Sequence, residues 1–178
     1  MRRSAVVVLH NIRSVYNVGS IFRTADAAGV EKIILCGYTP TPLDRFGRER
    51  KDFVKVSLGA EKTVPWEYIK TFADAVEKLK KENYLIVAVE QDKKSVSLFD
   101  FKPPFDKTQG KPKPLALVLG NEVRGLSKPA LALCDKIVEI PMRRAMVRQA
   151  HHPRQTRQGK ESLNVSVSAG VAMFALLK

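Results

Sequence analysis

The sequence predicts an α/β fold: a largely parallel sheet with helices on both faces. Three observations predict it. Short apolar, strand-like runs alternate with helical patterns, which is how a sheet built from crossover units reads. Polar clusters follow several of those runs, at the carboxyl ends of strands where such sheets bind ligands. The chain has 178 residues, 44% of them hydrophobic and 28% charged, enough for one domain with a real core.

The elements follow in order. "AVVVL" (5–9) is a buried strand by its β-branched content. Val18, Ile21, Phe22, Ala25 and Ala28 share one helical stripe, and Gly29 stops that helix. "KIILC" (32–36) is the second strand. Residues 37–65 hold prolines, a basic cluster and little periodicity, so a long loop with at most a short helix is expected, with Trp66 packing beside it. "TFADAVEKLKKEN" is a helix: Thr71 and Asp74 resemble a capping box, Phe72, Val76 and Leu79 form its buried face, and lysines load its last turn. "YLIVAVE" (84–90) is the third strand and "LALVLG" (115–120) the fourth, with "DFKPPFDKTQGKPKP" (100–114) as a surface connection between them. "SKPALALC" is a short helix with Pro129 in its first turn, and "KIVEIP" the fifth strand. The last segment is locally ambiguous, since Leu163, Val165 and Val167 alternate with polar residues. Length and small residues favour one helix from about Ser162 onward, apolar nearly all round and therefore buried.

Lys and Arg number 31 against 18 Asp and Glu, a formal charge of +13. That field favours a polyanion, and nucleic acid is the first candidate. No apolar run approaches the ~20 residues that span a bilayer. The N-terminal "MRRSAVVVLHN" reads as a first strand and not a signal peptide. Cys36 and Cys134 end apolar runs without the partners of a zinc site, so reduced core thiols of a cytoplasmic protein are expected. Adjacent His151 and His152 point apart in an extended chain and lack supporting ligands, so no metal is expected. His10 reads as a strand-end residue and not a catalytic base.

A dinucleotide fold would carry G-x-G-x-x-G after the first strand, but "HNIRSVYNVGS" has one glycine, and no Walker A sequence occurs. Gly120 and Gly125, which follow the fourth strand, either admit close backbone approach to a ligand or only make a tight turn.

Three clusters taken together carry a resemblance. Asn11-x5-Asn17-x-Gly19-x3-Arg23, "LVLGNEVRGLS", and "IPM" with "SLNVSVSAG" resemble the three motifs of the SpoU/TrmH family of SPOUT methyltransferases, across nearly the whole chain. The resemblance implies an α/β sheet whose C-terminal part forms a deep trefoil knot, an exception to unknotted topology. It implies a homodimer that uses S-adenosyl-L-methionine to methylate ribose 2′-hydroxyls of tRNA or rRNA. The lack of a separate RNA-binding domain before the first strand tilts this toward tRNA. The competing expectation is an RNA-binding relative with lost catalysis.

By the same resemblance, Arg23 is catalytic, although its place off the apolar stripe reads by itself as a solvated arginine. A guanidinium stays charged and is a poor base, so its expected task is to stabilise the developing alkoxide or to fix the adjacent phosphate. Asn11 reads as a turn residue and Asn17 as a helix cap; the resemblance adds a place on the substrate side. Glu122 is expected in the site's framework, with an arginine as its partner. Ser162 and Asn164, plain helix-start residues locally, join the third motif. Leu119, Gly120, Asn121, Gly125, Ile140, Met142 and Leu163 match the cofactor-binding positions, where backbone would read the adenine edge between aliphatic side chains. Independently of the family, Arg45, Arg48, Arg50 and Lys51 form a basic cluster around Phe46, expected to grip RNA phosphate. The basic stretch at 143–159 matches nothing in the family. It reads as a flexible inserted loop within one domain spanning 1–178. Arg144, Arg148, Arg154 and Arg157 make it a candidate second phosphate-binding arm.

Overall fold

A computed structural model describes residues 3–106, 110–142 and 162–177. Its strands are β1 (Ala5–His10), β2 (Lys32–Cys36), β3 (Trp66–Ile69), β4 (Leu85–Val89), β5 (Val96–Ser97), β6 (Phe105–Asp106), β7 (Lys111–Pro112), β8 (Leu115–Leu119) and β9 (Lys136–Glu139). Seven of them form one sheet in the order β3-β2-β1-β8-β4-β9-β5, while β6 and β7 pair separately as an antiparallel ribbon. Every pairing within the large sheet is parallel. β1 lies centrally, with Val7 opposite Ile33 on one side and Leu117 on the other.

Alternation along the strands divides the interior into two cores. Ala5, Val7, Leu9, Ile33, Leu35, Leu115 and Leu117 meet α1 (Val15–Ala28), α2 (Lys51–Ser57), α3 (Ala60–Thr63) and α6 (Val165–Leu176). Val6, Val8, Ile34, Ile86 and Val118 meet α4 (Phe72–Lys81) and α5 (Lys128–Leu133) on the other face. The expected helical stripe of α1 is buried in full, and Phe22 packs edge-on against Phe53 of α2 at 5.2 Å. Gly29 closes α1 in the left-handed conformation, and the Thr71 side chain accepts from the amide of Asp74 at the start of α4.

Several expectations need correction. The expected loop at 37–65 contains α2 and α3, whose few buried residues leave no periodicity to read. Trp66 does not merely flank that loop: it opens β3, an edge strand with no fully buried residue and hence no apolar run. β5 is too short to signal itself, and the 100–114 connection carries the β6–β7 ribbon. The last helix begins at Val165, not Ser162, because the Asn164 side chain accepts from the amide of Ser166 and caps it. Nor is α6 buried all round: Ala169, Ala172, Met173 and Leu176 face the core, but Val167 and Phe174 are 50% and 53% exposed. α6 lies in an outer layer against α1, β4 and β8, which cover only one side of it. The expected insertion at 143–159, and with it the path between β9 and α6 that a knot requires, lies outside the described residues. Among the described residues no helix is long and apolar enough to cross a membrane.

Candidate functional site

The carboxyl ends of β1, β4, β8 and β9 converge on one region, built from short polar loops. Asn11 follows β1 in the left-handed conformation (φ 58°), which asparagine tolerates better than most residues. Its Oδ1 accepts from the amide of Tyr38 (3.2 Å), and its Nδ2 lies 3.2 Å from His10 Nε2. Gly37, also at positive φ, makes this possible, since a Cβ there would stand 1.9 Å from Asn11 Oδ1. His10 ends β1 as expected, stacked on Phe72, and burial holds its pKa below the ordinary histidine value.

Asn121 ties the first loop to the loop after β8. Its Nδ2 donates to the Asn11 carbonyl (3.0 Å) and to the Tyr38 hydroxyl (2.9 Å), while its Oδ1 accepts from the amides of Val123 and Arg124. That turn is packed against its own backbone at Gly120 and against the Glu90 side chain at Gly125. A Cβ on Gly120 would lie 2.7 Å from the Gly125 carbonyl carbon, and one on Gly125 (φ +61°) would lie 2.3 Å from Glu90 Oε2. Both glycines are therefore required by close approach, beyond making a turn.

Glu122 caps the start of α1 from outside the helix. Its carboxylate accepts from the amides of Arg13 and Ser14 and from Asn17 Nδ2, each at 2.9 Å. Asn17 Oδ1 in turn accepts from Asn164 Nδ2 (3.1 Å), which joins α1 to the start of α6. Two expectations change here. The partner of Glu122 is not an arginine side chain but the backbone amides of Arg13 and Ser14, just ahead of the first residue of α1, together with the Asn17 carboxamide. The cap of α1 is Ser14, whose Oγ accepts from the amide of Asn17, so the Asn17 side chain is free to bridge Glu122 and Asn164. Partial burial pushes the Glu122 carboxyl upward, but the amides of Arg13 and Ser14 and the Asn17 carboxamide outweigh it and hold the pKa below the ordinary glutamate value.

Beside this chain of bonds is an open cleft of about 230 Å³. All seven residues expected at a cofactor, Leu119, Gly120, Asn121, Gly125, Ile140, Met142 and Leu163, line it, together with Glu122 and Ser162. Asn11, Asn17 and Asn164 stand behind its wall, bonded to lining residues or to one another. Arg23 is exposed on α1, two turns beyond the helix start, and has no hydrogen bond or ion pair among the described residues.

Glu90 was not expected and is central. It follows β4, lines the cleft, and accepts from the amides of Leu126 (2.8 Å) and Gln91 (3.1 Å), so it clamps the turn that contains Gly125. An acidic residue directly after the apolar run "YLIVAV" was the available signal. Glu139, Ser168 and Arg124 also line the cleft.

The basic cluster divides. The Arg45 and Arg48 guanidinium carbons lie 4.7 and 5.4 Å from the ring centroid of exposed Phe46. Arg50 instead forms a two-point pair with Asp52 and immediately precedes α2, and Lys51 is the exposed first residue of that helix. Burial pushes the Cys36 thiol up to about 12 and the Cys134 thiol up to about 11, so both stay protonated at neutral pH. Among the described residues no group of His, Cys, Asp or Glu side chains could hold a metal ion; His151 and His152 lie outside them.

With this geometry in view, the chain can be set beside known proteins. The model of the SpoU rRNA Methylase family matches residues 4–148. A protein of Archaeoglobus fulgidus named as an uncharacterized tRNA/rRNA methyltransferase is 31% identical over 177 residues, covering 97% of this chain and 64% of that protein. The 23S rRNA (guanosine-2′-O-)-methyltransferase RlmB of Ralstonia nicotianae is 29% identical over 174 residues, covering 97% of this chain and 58% of that protein. The crystal structure of an AdoMet-bound rRNA methyltransferase from Sinorhizobium meliloti superimposes with a TM-score of 0.75 at 26% identity, covering 98% of this chain and 56% of that one. The chain thus spans less than two thirds of the length of these relatives.

Proposed function

The chain belongs to the SpoU rRNA Methylase family, and from that premise we propose that it is an S-adenosyl-L-methionine-dependent methyltransferase acting on a ribose 2′-hydroxyl of tRNA or rRNA. The observation that carries this reading is convergence: seven residues named from two separated motifs line one cleft, and Asn17 of the first motif is bonded to Glu122 in its wall. The cleft suits the cofactor. Leu119, Ile140 and Leu163 offer aliphatic surface, and the tightly packed Gly120–Gly125 turn brings backbone polar groups to the same wall. Bound there, S-adenosyl-L-methionine supplies a methyl group activated by its sulfonium charge.

The chain's own residues do the rest. Arg23, whose side chain has no partner among the described residues, stabilises the alkoxide that develops at the 2′-oxygen, or holds the adjacent phosphate. The proton passes to that phosphate or to water, because a guanidinium does not give up its own charge. Glu122, Asn17 and Asn164 fix the starts of α1 and α6 relative to the cleft, so that the reactants are aligned when they meet. Arg45 and Arg48 meet RNA phosphates, with Lys51 nearby in the chain; Arg50 contributes less because Asp52 already engages it. The chain acts in the cytoplasm as a methyltransferase domain whose C-terminal part is knotted, and it pairs with a second copy through the exposed apolar side of α6.

Calorimetric titration with S-adenosyl-L-methionine tests the cofactor assignment. Saturable binding at one site per chain is expected, and an absence of binding heat with folded protein would overturn the reading.

A further inference from the structure

One exposed aromatic side chain at the site has no part in the chemistry above. Tyr38 is 59% exposed, yet it is held at both ends. Its amide donates to Asn11 Oδ1, and its hydroxyl oxygen accepts from Asn121 Nδ2. Asn121 is buried and lines the cleft, so the tyrosine hydroxyl is anchored to the cleft wall while much of its ring remains accessible. Solvation alone explains an exposed tyrosine but not two asparagines directed at it. Tyr68, 50% exposed on the edge strand β3, repeats the arrangement: its hydroxyl donates to the carbonyl of Gly37, the residue before Tyr38. The same connection between β2 and α2 carries Arg45 and Arg48 around Phe46, which is 65% exposed.

An anchored aromatic face on the same connection as two arginines, in a chain of net charge +13, matches the two demands of single-stranded RNA. Every unpaired base has a face to stack, and every linkage carries a negative charge. A duplex offers only the second, because its bases are already stacked. We propose that Tyr38, fixed by Asn11 and Asn121, is a stacking platform for an unpaired nucleobase next to the cleft, with Tyr68 extending it. The site would then select loops or unpaired segments over continuous helices. This inference rests on the RNA-directed reading above and narrows its substrate class.

The test uses the full chain, without cofactor, and two fluorescein-labelled probes: an oligoadenylate of about 12 nucleotides, within the usual single-strand site range, and an RNA duplex of equal length. Anisotropy should show Tyr38→Leu weakening the single-strand affinity about tenfold, the order expected for one lost base stack, with duplex affinity unchanged. Tyr38→Phe, which keeps the ring but loses the bond to Asn121, should fall between wild type and Tyr38→Leu on the single strand. Tyr38→Trp should bind the oligoadenylate with fluorescence quenching beyond that of Trp66 in the wild type. Equal losses on both probes, no loss on either, a Tyr38→Phe as weak as Tyr38→Leu, or a Tyr38→Trp without added quenching would each overturn the platform. Should Tyr38→Leu fail to fold, the Phe and Trp variants still decide. If the wild type binds no S-adenosyl-L-methionine while these results hold, the methyltransferase reading falls and the platform stands. If it binds cofactor and Tyr38→Leu binds RNA like wild type, only the platform falls.

Discussion

Glu122 shows how one side chain organises the site. Its carboxylate meets the amides of Arg13 and Ser14, just ahead of α1, and the Asn17 carboxamide, so removal of its charge weakens three bonds that hold the cleft wall to the lead into that helix. In Glu122→Gln an amide nitrogen would face those donors. The expected cost is about 1 kcal/mol, the low end for charge-assisted hydrogen bonds because the group is partly solvated, or a drop of roughly 2–4 °C in Tm for a chain of this size. The pH dependence has a definite sign. The folded pKa lies below the ordinary 4.5, so the stabilisation is present at neutral pH and is lost as pH falls through the folded value. The gap between wild type and Glu122→Gln in thermal unfolding should therefore begin to narrow as pH falls below about 4.5 and go on narrowing with further acid; a gap that did not narrow at all on acidification would contradict the bonding described. Much of this scale was legible in the sequence. Asn17, Gly120, Glu122 and Gly125 stood out as polar or flexible residues at strand ends. The partner of Glu122 was not, because backbone amides leave no mark in side-chain identity. Glu90 was missed because it reads as the polar end of a strand until the Gly125 turn is folded against it.

At the scale of elements, α1 and α6 carry most of the consequence. They pack together closely enough that a Cβ on Gly170 would lie 3.4 Å from Thr24 Cγ2. The other side of α6 leaves Val167 and Phe174 exposed among the described residues. Apolar side chains on the solvent side of an otherwise core-directed helix are what the proposed pairing of two copies would cover. Sedimentation velocity should show a dimer for the wild type and a monomer for the Val167→Glu, Phe174→Glu double variant, with helix content unchanged; a monomeric wild type, or a double variant that remains dimeric, would remove α6 from the interface. The apolar character of α6 was evident from its residues, but the expectation of burial all round was wrong, because composition does not tell a helix covered on every side from one covered on one side. The strongly patterned elements, β1, α1, α4 and β8, were also evident. α2, α3, β3 and β5 were not: each is short or lies at an edge, and tertiary packing rather than local periodicity defines it.

Across the whole molecule, parallel strand order does the gathering. β1, β8, β4 and β9 lie side by side, so motifs more than a hundred residues apart finish on the same edge of one sheet. That is why strand ends were informative before any contact was known. What the sequence withheld was distance, since it could name Asn11, Asn121 and Tyr38 separately but not the bonds that join them. The +13 charge and the exposed arginines suit the RNA partner proposed above. The central claim, transfer of a methyl group to a ribose hydroxyl, is tested most directly by incubating the protein with labelled S-adenosyl-L-methionine and total tRNA and rRNA from a source lacking the modification. Alkali-resistant linkages in the product are then mapped. Wild type should place label in a defined alkali-resistant dinucleotide, and Arg23→Ala should lose at least ~100-fold in rate, the scale of a lost electrostatic contact at the reacting oxygen, while retaining cofactor binding. No transfer by the wild type, label confined to alkali-labile nucleotides, or undiminished transfer by Arg23→Ala would contradict it.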